Sequence, residues 1–364
     1  MTTAIAAAGV PPRHDITLCI VNYEGAGHLP RALAAAQRSA TPFAEILVVD
    51  NASTDGGVAW LRNAFPEARL IGLAGNRGPA AARNAGFAAA RHDLILFQDN
   101  DVQLGPATAG TLHDALLASP PGLLVAPRVL YAADPETVQY DSADCHFLGL
   151  MATRNADRPS KSLDAETSRT TSLVTACFLI DRSRWHGGAP FDEWFGFNLE
   201  DHDFGVRASV AGHHLLVAPA ATVLHGAGTA GISYRPGGQV PAARVFYLIR
   251  NRWSVMTKAF ALRSLLVLSP ALLLYELLQL VGAASNGWTR QWGAALHSWW
   301  RELPRLRRER AVLQRSRIET DAVVLRGGPL PLTLAVRNRP LARFAIGILQ
   351  AIVNAYWRVV RPLI

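Results

Sequence analysis

Gln98-Asp99-Asn100-Asp101 follows the apolar run 93–97 without a break. Two carboxylates one residue apart on a turn can hold a hard divalent cation, and a bound diphosphate would complete its coordination. The same residues can also do no more than cap a turn, or the helix that starts near Pro106. Other polar clusters weigh against that smaller role. Asp50 closes the run 45–50 and leads into Asn51-Ala52-Ser53-Thr54-Asp55-Gly56, where an acid can hydrogen-bond a base or a ribose. Asn76-Arg77-Gly78 follows the run 69–73, and Arg83-Asn84 in the next helix adds a cation and an amide near phosphate height. Further on, Glu200-Asp201-His202-Asp203 opens an apolar-periodic stretch ending at Gly212, a helix C′ position. Acids at a helix start are favoured by the macrodipole alone. Yet Phe191, Trp194, Phe195 and Phe197 stand just upstream, and sugar sites pair ring faces with carboxylates. His225 ends another apolar run and leads into Gly226-Ala227-Gly228, a loop able to close over a ligand.

Strands must carry these clusters. The runs 16–22, 45–50, 69–73 and 93–97 are short, apolar and β-branched, and helix-like stretches at 28–40, 58–65 and 79–91 alternate with them. Strands buried on both faces read as continuous apolar runs, and alternation with helices predicts a mostly parallel sheet in a Rossmann-like α/β domain flanked by helices. Ligands of such sheets sit at the carboxyl ends of the strands, where the polar clusters lie. Residues 131–170 are polar and read as a long loop or lid. Strands return at 172–181 and 215–225.

The chain of 364 residues has room for one large domain plus an appendage. Charge divides it. Residues 1–239 hold 17 Lys/Arg against 23 Asp/Glu, net −6, whereas residues 240–364 hold 19 against 5, net +14. An acidic body with a basic tail suggests an anionic partner. The tail's Leu and Trp content favours anionic lipid over nucleic acid, since interfacial helices combine Arg/Lys with Trp, Phe and Leu. Residues 265–284 are long enough to span a bilayer. They contain Pro270, Glu276 and Gln279, however, and a mid-span carboxylate costs about 2.5–3.5 kcal/mol. Helices lying at the interface over about 259–364 are therefore expected. Cys19, Cys145 and Cys177 have no metal-ligand spacing, which fits a reducing cytosol without disulfides. Residues 1–14 read as a flexible N-terminus, with no signal-peptide pattern.

The order of these motifs resembles glycosyltransferase family 2, inverting enzymes of the GT-A fold. The likeness rests on Val21-Asn22-Tyr23, on Asp50-Asn51-Ala52-Ser53-x-Asp55, on Asn76-x-Gly78 with Ala82-Arg83-Asn84, and on Asp99-x-Asp101. It continues through Phe191-Asp192-Glu193, Glu200-Asp201-x-Asp203 with Arg207, and His225, over roughly residues 15–260. Among members the chain looks most like bacterial rhamnosyltransferases of cell-envelope glycan assembly, which share Tyr247-x-x-Arg250-Asn251 before basic helices. The resemblance implies a catalytic domain over 15–240, with a nucleotide-sugar half to about 130 and an acceptor half beyond, and a helical membrane region over 241–364. It implies that Asp50 contacts the nucleoside, and that Asn22, Tyr23, Glu24, Asn51, Ser53, Asp55, Asn76, Gly78, Arg83, Asn84, Gln98, Asp99 and Asn100 line the donor site. Asp99, Asp101 and His225 would hold Mn²⁺ or Mg²⁺. The base would be Asp201, with Glu200 orienting the acceptor or tuning it, or the two exchanged. Phe191, Asp192, Trp194, Phe195 and Arg207 would face the acceptor. A nucleotide-sugar donor such as dTDP-rhamnose or a UDP-sugar, a glycan or polyprenyl-linked acceptor, and a place on the cytoplasmic face of the bacterial inner membrane follow. The oligomeric state stays open, a homodimer included.

Two other readings compete. Gly25-x-Gly27 after the first strand, with Asp50 beyond, resembles a dinucleotide fingerprint. Pro30 occupies the place of its third glycine, and that reading leaves Asp99, Asp101 and the acids at 200–203 idle. A glycan-binding scaffold on the same fold is the other, separable by whether binding requires Mn²⁺ and leads to turnover.

Overall fold

Residues 15–119, 121–226, 241–330 and 340–364 are described in the computed structural model. The expectations for residues 1–14 and for Ala227-Gly228 lie outside them.

The first apolar runs fold as β1 (Ile16–Asn22), β2 (Glu45–Asp50), β3 (Arg69–Gly72) and β4 (Leu94–Asp99), which pair in parallel in the order β3-β2-β1-β4. Between them run α1 (Leu29–Gln37), α2 (Gly57–Ala64) and α3 (Gly78–Ala89). Beyond β4 come β5 (Val102–Leu104), α4 (Thr108–Leu117), β6 (Gly122–Tyr131), β7 (Asp134–Tyr140), β8 (Ala143–His146), β9 (Met151–Thr153), β10 (Ser168–Thr170) and β11 (Cys177–Asp181). They are followed by α5 (Glu200–Val210) and β12 (His214–His225). The main sheet has ten strands in the order β10-β12-β6-β11-β4-β1-β2-β3, with β5 on β12 and β7 on β6. It is parallel through β3-β2-β1-β4 and mixed beyond, because β11 lies antiparallel to both β4 and β6. The first half of the sheet is thus as parallel as the sequence predicts; the second half is not. Leu29, Leu33, Leu61, Leu112 and Leu116 of α1, α2 and α4 cover one face. Ala80 and Ala82 of α3 and Phe204 and Ala208 of α5 cover the other. Both faces being covered is why the strand sequences show no polar alternation.

Residues 131–170 correct the expectation of a loop. They form β7 to β10 and a 3₁₀ turn at Ser160–Ser162. Charges help to hold them: Arg128 makes a bidentate, buried pair with Asp141 (2.8 and 2.7 Å), and Arg154 a bidentate, half-buried one with Asp144 (2.6 and 2.9 Å). Such pairing carries no periodicity.

The C-terminal part comprises α6 (Ala242–Ala259), α7 (Leu262–Ser285), α8 (Thr289–Arg315), α9 (Asp321–Val324), β13 (Leu325–Arg326) and α10 (Pro340–Val360). It is built into the body. β13 pairs in parallel with β8, and one apolar cluster joins Phe147, Phe195 and Val206 to Val255, Phe260, Leu268, Leu325 and Trp357. The α7 helix contains Pro270 and is the one described helix long and apolar enough to cross a membrane, with 11% of its apolar window buried. Leu262, Leu266, Leu273, Leu277 and Val281 are each more than 60% exposed along it. Glu276 is turned inward instead, paired with the buried Arg252 and accepting from Trp253 Nε1 at 3.0 Å.

Candidate active site

The parallel strands end side by side, and their polar residues satisfy one another. Asp50 at the end of β2 accepts from Asn22 Nδ2 (2.7 Å), Ser53 Oγ (2.6 Å) and the Ser53 amide (3.0 Å). Asn22 Oδ1 in turn accepts from Asn100 Nδ2 at 2.9 Å. Asn100 also reaches the Tyr23 carbonyl (3.2 Å), so the ends of β1, β2 and β4 share one network. A Cβ on Gly25 would stand 2.0 Å from Asn22 Oδ1 and 2.4 Å from Asn100 Nδ2. The glycine therefore admits this amide pair, which accounts for half of the dinucleotide-like Gly25-x-Gly27. Glu24 accepts from the Thr54 amide, and Asp55 from the Ala26 amide. Asn51 binds Asn76 Oδ1, the Gly78 carbonyl and the Arg77 amide, tying the third polar cluster to the second. Gln98 is fully buried in β4, with Nε2 on the Val102 carbonyl.

Arg83 is not the free phosphate-side cation that the sequence suggests. Its side chain is 4% exposed and bridges two acids, Asp99 Oδ1 at 2.7 Å and Glu200 Oε1 at 3.4 Å. That one guanidinium, 117 residues before Glu200, brings the turn at the end of β4 and the start of α5 together. Asn84 is likewise committed, clamping the Phe191 backbone in both directions (2.8 and 3.0 Å).

At the turn, Asp101 Oδ1 lies 3.3 Å from His225 Nε2, because β5 pairs antiparallel with the end of β12. His225 Nδ1 donates to Gln139 Oε1 at 2.7 Å, which leaves Nε2 facing the carboxylate. A metal-binding histidine is oriented in this way, by an acceptor on its other nitrogen. Burial works against a charge on His225, but the hydrogen bond to Asp101 and the charges of Asp101 and Asp99 outweigh it, holding the imidazole above its ordinary pKa. Burial and Asp101 lift the Asp99 carboxyl against the pull of Arg83 and His225. Asp101 and His225 form an oxygen–nitrogen pair suited to Mn²⁺ or Mg²⁺. Among the described residues no three such side chains stand close enough to encage an ion alone, and Asp99 is turned to Arg83. A cation here would share its coordination with diphosphate oxygens.

Glu200 and Asp201 are buried at the first turn of α5. Burial and the neighbouring Asp201 charge push Glu200 up to about 8, against Arg83, and its Oε2 has no partner among the described residues. Burial also raises Asp201, countered by hydrogen bonds from the backbone of His202 and Thr175 and by Arg83. His202 is a core residue on Ser172 Oγ (2.7 Å). Asp203 is spent on Arg207 and on the buried Lys258, both at 2.7 Å.

Of the five residues expected at an acceptor face, two are buried, and Asp192, Trp194 and Arg207 are half-buried with partners within the protein. Phe191 and Phe195 are core side chains at 2% and 0% exposure. Asp192 binds Lys258 and Arg305 at 3.0 Å each, and despite its burial these cations hold it down at about 2. Arg250 lies 3.9 Å and Arg305 4.8 Å from the Trp194 ring centroid. Arg207 holds Asp203 and the Pro190 carbonyl. Sequence reasoning missed Gln139 and Tyr140, whose strand had read as loop; the buried Tyr140 feels the charges of Asp99, Asp101 and Asp201 together. It also missed His28 and Arg31, which line a cleft of about 150 Å³ with Asn100, Asp101, Gln103, Ala132 and Gly226. A basic pair opening α1 gave no motif.

Residues 17–184 match the family model for glycosyl transferase family 2. They form a family 2 glycosyltransferase domain. The N-acetylglucosaminyl-diphospho-decaprenol L-rhamnosyltransferase of Mycobacterium tuberculosis is 29% identical over 230 residues, covering 56% of this chain and 74% of that protein. The succinoglycan biosynthesis protein ExoO of Rhizobium meliloti is 39% identical over 94 residues, 25% of this chain and 27% of its own. In fold, the chain is similar to GalNAc-T7 crystallised with UDP, GalNAc and Mn²⁺ (TM-score 0.53, 15% identity, 67% of this chain), of which it spans 48%. It is also similar to residues 1–349 of S. aureus TarS (TM-score 0.52, 16% identity, 83% of this chain and 86% of that one). This family 2 domain has the expected GT-A-like architecture.

Proposed function

We propose that the protein is an inverting, metal-dependent glycosyltransferase, moving a sugar from a nucleoside-diphosphate donor to a glycan or polyprenyl-linked saccharide at a membrane. The observation that carries this reading is the Arg83 bridge, which sets the Asp99/Asp101 turn beside the Glu200/Asp201 pair. Asp50, Asn22 and Ser53 offer polar groups to the nucleoside at the strand ends. Asp101 and His225 would hold Mn²⁺ or Mg²⁺ together with the diphosphate, with Asp99 beside them on Arg83, and the ion would supply Lewis acidity to the leaving group. The Asp201 carboxylate takes the acceptor hydroxyl proton as that oxygen bonds to the anomeric carbon and the bond to the diphosphate breaks. Glu200, raised by burial and by the Asp201 charge, tunes the base or orients the acceptor beside it. The mycobacterial relative's name supports a rhamnosyl donor, with dTDP-rhamnose tested before UDP-sugars, and a polyprenyl-diphosphate-linked acceptor.

Membrane contact belongs to the same proposal. One face of α7 is anchored to the body through Leu268, Ala271 and Glu276, so its exposed leucines lie along a bilayer rather than through it. Exposed Phe344, Ile348, Ile352 and Val359 of α10 support the same reading, and the cytoplasmic face of the membrane is the location that goes with it. A nucleotide-sugar panel read as nucleoside diphosphate release, with and without Mn²⁺, tests the reading. Release dependent on acceptor and metal is expected; glycan binding without turnover would replace the enzyme with a scaffold.

A further inference from the structure

The turn that delivers Glu200 and Asp201 is held in a conformation it would not adopt alone. Asn198 and Leu199 have φ of 60° and 64°; an asparagine enters this left-handed region readily, but a leucine does so only where its surroundings hold it there. Leu199 also accepts the first helical hydrogen bond of α5, from the Asp203 amide at 2.9 Å, so its conformation aims the first turn of that helix.

The restraint comes from α6, outside the residues matched to the family model. Asn251 is fully buried, and its Nδ2 faces three carbonyls of this turn: Phe195 (3.0 Å), Phe197 (3.1 Å) and Asn198 (2.6 Å). Arg250 Nε donates to Asn251 Oδ1 at 2.8 Å, which turns the amide's NH₂ toward the loop. Arg250 Nη2 adds bonds to the carbonyls of Trp194 (2.9 Å) and Phe195 (2.7 Å). The opposite side of the turn is closed by α3. A Cβ on Gly78 would stand 2.3 Å from the Gly196 carbonyl oxygen, and one on Gly196 would stand 3.1 Å from Tyr247. Tyr247, Arg250 and Asn251 thus press the turn against the donor-side motif. Arg250 and Asn251 together bond the carbonyls of Trp194, Phe195, Phe197 and Asn198, the stretch of chain that leads directly into the acid pair.

We propose that Asn251, oriented by Arg250, is a positioning residue that fixes the proton-accepting carboxylate relative to the donor. The proposal rests on Asp201 being the base. The test uses the full chain with Asn251→Ala and Arg250→Lys, beside Asp201→Asn. Thermal unfolding, nucleoside diphosphate affinity, donor and acceptor KM, kcat and its pH profile are recorded for each. Asn251→Ala is expected to lower kcat about 100-fold, as misplacement by about 1 Å does. Arg250→Lys should lose about tenfold, with donor affinity within about twofold of wild type in both and the acid limb of the kcat profile displaced. Should Asn251→Ala not unfold cooperatively, Arg250→Lys is judged by the same criteria. The proposal is overturned if a folded variant keeps kcat within about threefold, if donor affinity and kcat fall equally, or if neither variant folds. Wild-type turnover by Asp201→Asn would instead remove the base assignment, an outcome distinct from all of these.

Discussion

The two halves of the site are held together by different physics. On the donor side, Asp50, Asn22, Asn100, Asn51 and Asn76 meet at adjacent strand ends and bond through amides and hydroxyls over short reaches. On the acid side, the segment 191–203 is held from distant helices, by the buried Lys258 on Asp203 and Asp192 and the half-buried Arg305 on Asp192 as well as by Asn251. The first arrangement follows from topology, since parallel strands bring their ends into line. The second needs the C-terminal helices in place, so the acid pair depends on a region whose composition advertises only a membrane partner.

That contrast predicts unequal consequences. Lys258 is 1% exposed, and Lys258→Ala removes the buried cation from Asp203, leaving that buried carboxylate to Arg207, and takes one cation from Asp192. Removing one partner of such a pair costs about 3–5 kcal/mol, so chemical denaturation should show a loss of that size. A loss below about 1 kcal/mol, the range of an exposed pair, would mean the acid side is not charge-locked. On the donor side, Gln139→Ala frees the ring of His225 without touching a ligand. Loss of an orienting partner lowers metal affinity about 10–100-fold, which a titration of Mn²⁺ by electron paramagnetic resonance would read without turnover. Unchanged Mn²⁺ binding would separate Gln139 from the cation site.

A third effect is a pH slope. The Glu200 carboxyl is raised from 4.5 to about 8 in the folded protein. A raised folded value contributes stability fully present below the unfolded value of 4.5 and lost as pH rises towards about 8. Glu200→Gln should remove that part of the alkaline decline in Tm between pH 5 and 9, so the variant's curve is flatter. Parallel curves would show that Glu200 does not titrate in this window.

Legibility followed the same divide. The runs that form β1, β2 and β4 read correctly as strands because each is largely apolar and buried on both faces, and the polar residues after them are contiguous in sequence. The loop expected at 131–170 hid four short strands, since Arg128–Asp141 and Arg154–Asp144 pairs leave no pattern along the chain. Gln139 went unseen with them. Arg83 looked like a cation for phosphate because Glu200, its second partner, lies far along the chain. The rings before Glu200 looked like an acceptor face; Phe191 and Phe195 instead pack inward, and Trp194 lies under two guanidinium groups.

The central claim is that Asp201 takes the acceptor proton at a site whose donor half is independently assembled. Asp201→Asn keeps the shape of the side chain and its hydrogen bond from the His202 amide while removing the proton acceptor. Transfer kcat should fall by about 1,000-fold or more, within the span that loss of general base catalysis allows, with nucleoside diphosphate affinity by calorimetry unchanged. Turnover at the wild-type rate with the donor still bound would contradict the account.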